Sequence, residues 1–213
     1  METPPGTIRY RSRDRSYVLR ASAPEDAAQV LQCIEESQVE FRYFFSWAHL
    51  PQDLDQQTAR LASNGADFAQ GGDLVYHLFE ESSPRLLGSF GLHRRSLNPR
   101  ALELGYWGRS SCAGQGLATS ASKCLVVLCF EYLGCNRIQC GFNEANLGSA
   151  RVNEKLGFQH EARVRFGEPQ PTPELTAAGY GVEPFMIQTA LFPDDRSKLS
   201  WYPEVKNSLT VEY

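Results

Sequence analysis

Glu103-Leu-Gly-Tyr-Trp-Gly-Arg-Ser-Ser-Cys-Ala-Gly-Gln-Gly-Leu-Ala-Thr119 is the stretch on which the fold turns. A strand runs through its first residues into a short loop, and the glycines then open a helix. Gly114 and Gly116 take side chains away where several backbone N–H groups face outward. Those orphan donors, with the positive end of the helix dipole, form a pocket suited to a pyrophosphate. Two familiar phosphate loops do not fit. A P-loop needs Gly-x-x-x-x-Gly-Lys-Ser/Thr, and no Lys follows here. A dinucleotide fingerprint wants its third small residue at Thr119, an acid about 20 residues on and a parallel unit early in the chain. On its own, Gly-x-Gly is equally compatible with tight packing.

A second stretch, Asn143-Glu-Ala-Asn-Leu-Gly-Ser-Ala-Arg-Val-Asn-Glu-Lys-Leu-Gly-Phe158, narrows the choice. Asn146 and Ser149 are three apart and share one face at the start of a helix, with Asn153 a turn further on. Val152 and Leu156 are its packing side. Helix capping by Asn143 or Asn146 accounts for one asparagine. It leaves Ser149 and Asn153 unexplained.

Outward from these motifs, Tyr17 to Ala21 reads as a strand. Ser22-Ala-Pro-Glu-Asp-Ala opens a helix whose Ala27, Val30, Leu31 and Ile34 face inward. The aromatic run Phe41-Arg-Tyr-Phe-Phe-Ser-Trp47 follows, then a helix from Gln52 to Phe68 closed by Gly71-Gly72. Three strands in close order (Leu74–Phe79, Arg85–His93 and Ala101–Trp107) form an antiparallel meander. Beyond Gly116 a stripe of Leu117, Ala121, Leu125, Leu128 and Tyr132 marks a helix ended by Gly134. Then come a strand at Arg137–Phe142, a helix at Ala145–Leu156 stopped by Gly157, and a strand from Phe158 to about Phe166. A Pro-rich loop (Pro169, Pro171, Pro173) leads to a last strand at Phe185–Leu191. A meander followed by helix-linked strands implies a mixed sheet with helices on both faces.

The chain divides into a polar lead at 1–16, a domain at 17–192 and a tail or packed extension at 193–213. Arg9, Arg11, Arg13 and Arg15 suit an edge strand, a solvated tail or a small basic arm, and the solvated tail is the expectation because Glu2 and Asp14 dilute the charge. Over 213 residues, 42% hydrophobic and 22% charged composition supplies a sizeable core, so wholesale disorder is excluded. A net charge of −4 argues against direct nucleic-acid binding over the whole surface. No apolar run approaches the roughly 20 residues of a membrane span, and Met1 to Ser16 lacks a secretory apolar stretch. A cytoplasmic protein with no membrane partner is the expectation. The six cysteines (Cys33, Cys112, Cys124, Cys129, Cys135, Cys140) form no Cys-x-x-Cys pair and do not cluster with the four histidines. They read as buried thiols in a reducing compartment, with no metal site.

Together, Glu-Leu-Gly-Tyr-Trp, Gly-Gln-Gly-Leu-Ala-Thr and Asn-Leu-Gly-Ser-Ala-Arg-Val-Asn-Glu-Lys-Leu-Gly-Phe resemble the GNAT superfamily of acetyl-CoA-dependent N-acetyltransferases. More narrowly they resemble its RimJ/RimL type, which acetylates N-terminal amines of ribosomal proteins. The resemblance spans about Tyr17 to Leu191. It implies a mixed α/β fold: a mostly antiparallel, seven-stranded sheet with helices on both faces and a V-shaped splay between its middle strands. It implies acetyl-CoA as co-substrate, wedged between the Leu104–Trp107 strand and the strand near Ile138. Amides near Tyr106 and Trp107 would polarise the thioester carbonyl. Ala113, Gly114, Gln115, Gly116, Leu117 and Ala118 would hold the pyrophosphate. Asn146 would anchor the pantetheine arm, with Asn153 close by and Ser149 at the leaving sulfur.

For the base, the resemblance points to Glu168, with Glu103 as the alternative; an exposed loop acid and a charge pair are their structural counterparts. The acceptor is a primary amine, foremost the α-amine of a peptide or protein and otherwise a small molecule, with a homodimer allowed. Ser111 and Ser120 depart from the family pattern, which often has Gln or Arg and then Glu at these places. They motivate a second reading, a non-catalytic acetyl-CoA-binding module.

Overall fold

A computed structural model describes residues 4–165, 173–177 and 185–213. In chain order the strands are β1 (Thr7–Ser12), β2 (Arg15–Ala21), β3 (Leu74–Glu80), β4 (Leu86–His93), β5 (Ala101–Gly108), β6 (Arg137–Asn143), β7 (Gln159–Arg165), β8 (Phe185–Leu191) and β9 (Thr210–Glu212). The helices are α1 (Ala27–Glu36), α2 (Gln38–Phe44), α3 (Leu54–Ala69), α4 (Leu117–Val127), α5 (Leu147–Leu156), α6 (Pro173–Ala177) and α7 (Tyr202–Ser208). The strands form one sheet in the order β7-β8-β6-β5-β4-β3-β2-β1-β9. Every pairing among the described residues is antiparallel except β5 with β6.

Nine strands replace the seven read from the sequence, because both ends of the chain join the sheet. Residues 7–12, expected as part of a solvated lead, pair with β2 on one side and β9 on the other. Ile8 and Tyr10 point into the core. Arg9 lies on the opposite face and bonds Glu81 at 2.7 Å and Glu212 at 3.0 Å. The arginine alternation is thus the outer face of a strand, held in register by a buried apolar face. The 193–213 segment packs likewise: α7 lies against α4, and β9 covers the β1 edge. The Pro-rich loop contains the short helix α6.

Two helical layers cover the sheet. On one face α4 is enclosed by sheet, α5 and α7, so Leu117, Ala121, Cys124, Leu125, Val126 and Val127 are all buried. That enclosure explains a helix apolar on more than one stripe. It continues through a π-helical turn, Leu128–Tyr132. On the other face α1 and α3 pack with Phe41, Ala48, Phe79 and Leu86. The six cysteines are buried and unbridged, and burial pushes the Cys33 thiol up to about 11 and Cys140 to about 12. Among the described residues, no helix is long and apolar enough to cross a membrane.

The decisive feature is where β5 and β6 part. They pair only at Ala101↔Arg137, Leu102↔Ile138 and Glu103↔Gln139. Past Glu103, β5 continues to Gly108 with β4, while β6 continues to Asn143 with β8. Their facing backbone edges open as a V.

Candidate active site

Because β5 and β6 run parallel, both deliver their following helices to the same end of the sheet, at the open mouth of the V. Helix α4 starts there without any side-chain cap. Gly116 occupies its N-cap position at φ 83°, and Gly114 sits at φ 75°. These left-handed conformations suit glycine. Nothing lies within 4 Å of where a Cβ would stand at either glycine. Ala113, Gly114, Gln115 and Gly116 are exposed, while Leu117 anchors the helix in the core. The first-turn N–H groups therefore face open space under the positive end of the dipole, and the loop fits a diphosphate.

Helix α5 contributes the opposing wall. Asn146 caps it, its Oδ1 accepting from the Ser149 amide at 3.0 Å. Asn153 is buried: its Nδ2 donates to the Ser149 carbonyl at 2.9 Å, and its Oδ1 accepts from Thr189 Oγ1 at 2.8 Å. Its polar atoms are taken up within the protein, so any effect of Asn153 on a ligand runs through Ser149 and its neighbours. Tyr106 reaches up from β5 toward Ser149 and Asn153. Its hydroxyl is buried and lacks a hydrogen bond of ordinary geometry. Burial drives its pKa up more than those two neighbours lower it, so it stays protonated at neutral pH. A buried O–H in need of an acceptor, beside the Ser149 hydroxyl at the open side of the V, suits a departing thiolate.

The alternation of β5 places Trp107, Gly105 and Glu103 on the opposite sheet face from Tyr106. Trp107 meets Phe41 with ring centroids 5.6 Å apart, and Phe45 stacks on Trp47 at 5.2 Å. The aromatic run is therefore helix packing with half-buried rims. Glu103 stands at the apex, in the last β5–β6 pair, accepting from Gln139 Nε2 at 3.0 Å. Glu168 lies outside the described residues.

Sequence reasoning missed Arg109, which is fully buried at the root of the glycine loop. Its Nε donates to the Leu86 carbonyl at 2.8 Å and its Nη1 to Glu36 at 2.5 Å. Ser110 N adds a bond to Ser37 Oγ at 3.0 Å. These contacts moor the loop to α1, and a partner 73 positions away leaves no local signal. Arg109→Ala should cost about 2 kcal/mol through the lost charge-assisted bonds. That corresponds to a melting midpoint lowered by about 4–8 °C in a calorimetric scan. Acetyl-CoA affinity should weaken alongside. Ser111 and Ser120 also have internal partners: Ser111 Oγ accepts from Arg85 at 2.8 Å, and Ser120 Oγ donates to the Leu117 carbonyl at 3.1 Å.

Comparison with known proteins agrees with this geometry. The acetyltransferase (GNAT) domain model matches residues 17–159. The putative ribosomal N-acetyltransferase YdaF of Bacillus subtilis is 27% identical over 150 residues, covering 70% of this chain and 81% of that protein. The probable N-acetyltransferase YjcK of the same organism is 36% identical over 97 residues, covering 44% of this chain and 53% of that protein. Among solved structures, RimL, a ribosomal L7/L12 α-N-protein acetyltransferase in complex with coenzyme A, superposes with a TM-score of 0.75 at 16% identity, covering 87% of this chain and 98% of that one. Mycobacterium smegmatis RimJ in complex with CoA-disulfide gives 0.77 at 18% identity, covering 90% and 91%. At these identities the structural likeness is one of fold. The domain match spans well over half the sequence and includes both the V and the glycine loop, and on that ground the chain belongs to the GNAT family of N-acetyltransferases.

Proposed function

We propose that this acyltransferase moves the acetyl group of acetyl-CoA directly to a primary amine, foremost the N-terminal α-amine of a peptide or protein. The observation that carries the cofactor half is the V between β5 and β6, which opens beside the uncapped, glycine-lined start of α4. Ala113 to Ala118 hold the diphosphate by backbone donors. Asn146 borders the pantetheine arm. Amides of β5 near Tyr106 and Trp107 polarise the thioester carbonyl as the amine attacks. Ser149, with the Tyr106 hydroxyl, receives the sulfur.

The acceptor half rests on proton chemistry and on the relatives. An α-amine has a pKa of about 8 against about 10.4 for lysine, so roughly a tenth is already neutral at pH 7. It needs only a modest base, which Glu168 or Glu103 supplies, directly or through water. YdaF and RimL are named for ribosomal and α-N-protein acetylation, in keeping with a protein acceptor in a cytoplasmic, reducing setting. Small-molecule amines are the second class, and the basic strand end His93-Arg94-Arg95 disfavours polycations among them.

The test is thiol release with a panel of free-N-terminus peptides, N-blocked lysine peptides and small amines. Peptides with a free α-amine should turn over fastest. Ser149→Ala and Glu168→Gln should keep acetyl-CoA affinity and lose rate, and unimpaired turnover by both would refute those roles. Calorimetric binding of acetyl-CoA with no turnover on any amine would favour the non-catalytic module.

A further inference from the structure

The face of the sheet opposite α4 and α5 holds a histidine–carboxylate pair that the mechanism above does not use. His93, the last residue of β4, is bonded through Nδ1 to Asp73 Oδ2 at 2.8 Å. Asp73 is itself fixed by the Arg94 backbone N–H at 2.8 Å and by Arg95 Nη2 at 3.3 Å. The imidazole lies across Gly91, where a methyl group would overlap it. A methyl at Gly105 would stand 3.5 Å from its Nε2. Gly91 and Gly105 are direct register partners, so the ring rests on a floor of bare backbone two strands wide. Among the described residues Nε2 has no protein partner. The ring is a quarter exposed.

The position of that floor is what matters. Gly105 is two residues past Glu103, where β5 has left β6 and its backbone edge is free. It directly precedes Tyr106 and Trp107, whose amides are proposed to hold the carbonyl. The cofactor side of the V carries Tyr106, Ser149 and α5, whereas His93, Glu103 and Trp107 lie on the other face by strand alternation. An amine approaching the carbonyl from the face away from α5 comes in on the side of the sheet that carries the His93 ring.

We propose that His93, oriented by Asp73, takes the second amine proton, the one shed as the carbon–nitrogen bond forms, while Glu168 or Glu103 serves the earlier loss of the ammonium proton. This deepens the transfer reading and rests on it. With Nδ1–H committed to Asp73, the lone pair is on Nε2, the nitrogen that faces the floor. His93 Nε2 accepts the N–H proton as the carbon–nitrogen bond forms and the carbon–sulfur bond breaks. The sulfur leaves as thiolate and is protonated from solvent on the Ser149–Tyr106 side. The imidazolium, facing Asp73 and opposite Glu103 in register, then releases its proton to water, while Arg94 and Arg95 flank Asp73. Burial would raise the Asp73 pKa, but the Arg94 amide, His93 and Arg95 outweigh it, so Asp73 stays ionised through the cycle. Glycine at 91 is then a requirement of the ring's seat, because a side chain there would overlap the imidazole.

The experiment compares His93→Gln and Asp73→Asn with wild type in steady-state acetyl transfer to the best amine of the panel, with acetyl-CoA binding measured separately. His93→Gln should lower kcat/KM about 100-fold, the scale of a lost general base. Acetyl-CoA affinity should stay within about twofold, because the ring is on the far face. In wild type both the amine and the imidazole must lose a proton, so log kcat/KM should climb in acid with a slope of about 2, falling to about 1 in His93→Gln. Asp73→Asn should fall between the two in rate, which keeps the pair testable should the first variant fold poorly. Wild-type rate and slope in a folded His93→Gln protein would overturn the assignment and leave the transfer reading standing. Failure of wild type to acetylate any amine while binding acetyl-CoA would overturn both.

Discussion

Gly116→Val should abolish tight acetyl-CoA binding while leaving the protein folded. At φ 83° a side chain meets the penalty of the left-handed region, about 1–2 kcal/mol, which a domain of this size tolerates. The larger effect is on the ligand. The valine enters open space in front of α4, where nothing now lies within 4 Å, and turns the first-turn N–H groups away from a diphosphate. Losing two charge-assisted hydrogen bonds of about 1.5–3 kcal/mol each weakens affinity at least about 100-fold. Calorimetric titration checks the affinity, and circular dichroism checks the fold. Near-wild-type affinity in the variant would mean that the loop does not touch the cofactor.

Asp26→Asn should produce the largest loss of stability. Asp26 is buried and bonds His77 Nδ1 at 2.7 Å and the Arg20 guanidinium, tying α1 to β2 and β3. Burial alone would raise its pKa, yet the His77 and Arg20 bonds prevail and hold it at about 2. Removing the charge takes the carboxylate from Arg20 and weakens the bond to His77, which is 1% exposed, and the loss of these charge-assisted bonds should cost about 3 kcal/mol. The melting midpoint should fall by roughly 10 °C.

The pH dependence follows from the sign of each shift. A depressed carboxyl contributes stability that is complete above its unfolded value of about 3.8 and declines as pH falls toward 2. His77 is also held below its ordinary value, by burial that outweighs Asp26. Its stabilising contribution likewise fades on acidification, beginning near the unfolded histidine range of about 6.5. Wild type should therefore lose stability in two stages on acidification, and Asp26→Asn should lack the lower one. Urea midpoints measured from pH 7 to pH 2.5 would show it. Parallel curves for the two proteins would contradict the network's role.

What the sequence revealed and what it hid divide along contact range. The glycine loop, the α5 start and the stripe on α4 are local signals, carried by glycine, caps and helical spacing, and they appeared where expected. The parting of β5 from β6 was implied by resemblance, and the register shows it. At the N-terminus, arginine alternation obscured the buried Ile8 and Tyr10 between the charges, and that apolar pair decides the strand. The Arg109–Glu36 and His93–Asp73 pairs join residues 73 and 20 positions apart, brought together by helix docking and strand pairing. No spacing rule encodes such pairs. Asn153, one of two residues that capping left unexplained, is an internal bracket between α5 and β8.

The central claim is that acetyl-CoA enters the V beside the start of α4. Amide hydrogen exchange of the wild-type protein, with and without acetyl-CoA, tests it most directly. Exchange should slow at 104–108 on β5, at 113–120 across the glycine loop and at 146–150 on α5, with the middle of α3 on the other face of the sheet unchanged. Protection confined to other surfaces, or none at a saturating concentration, would contradict it.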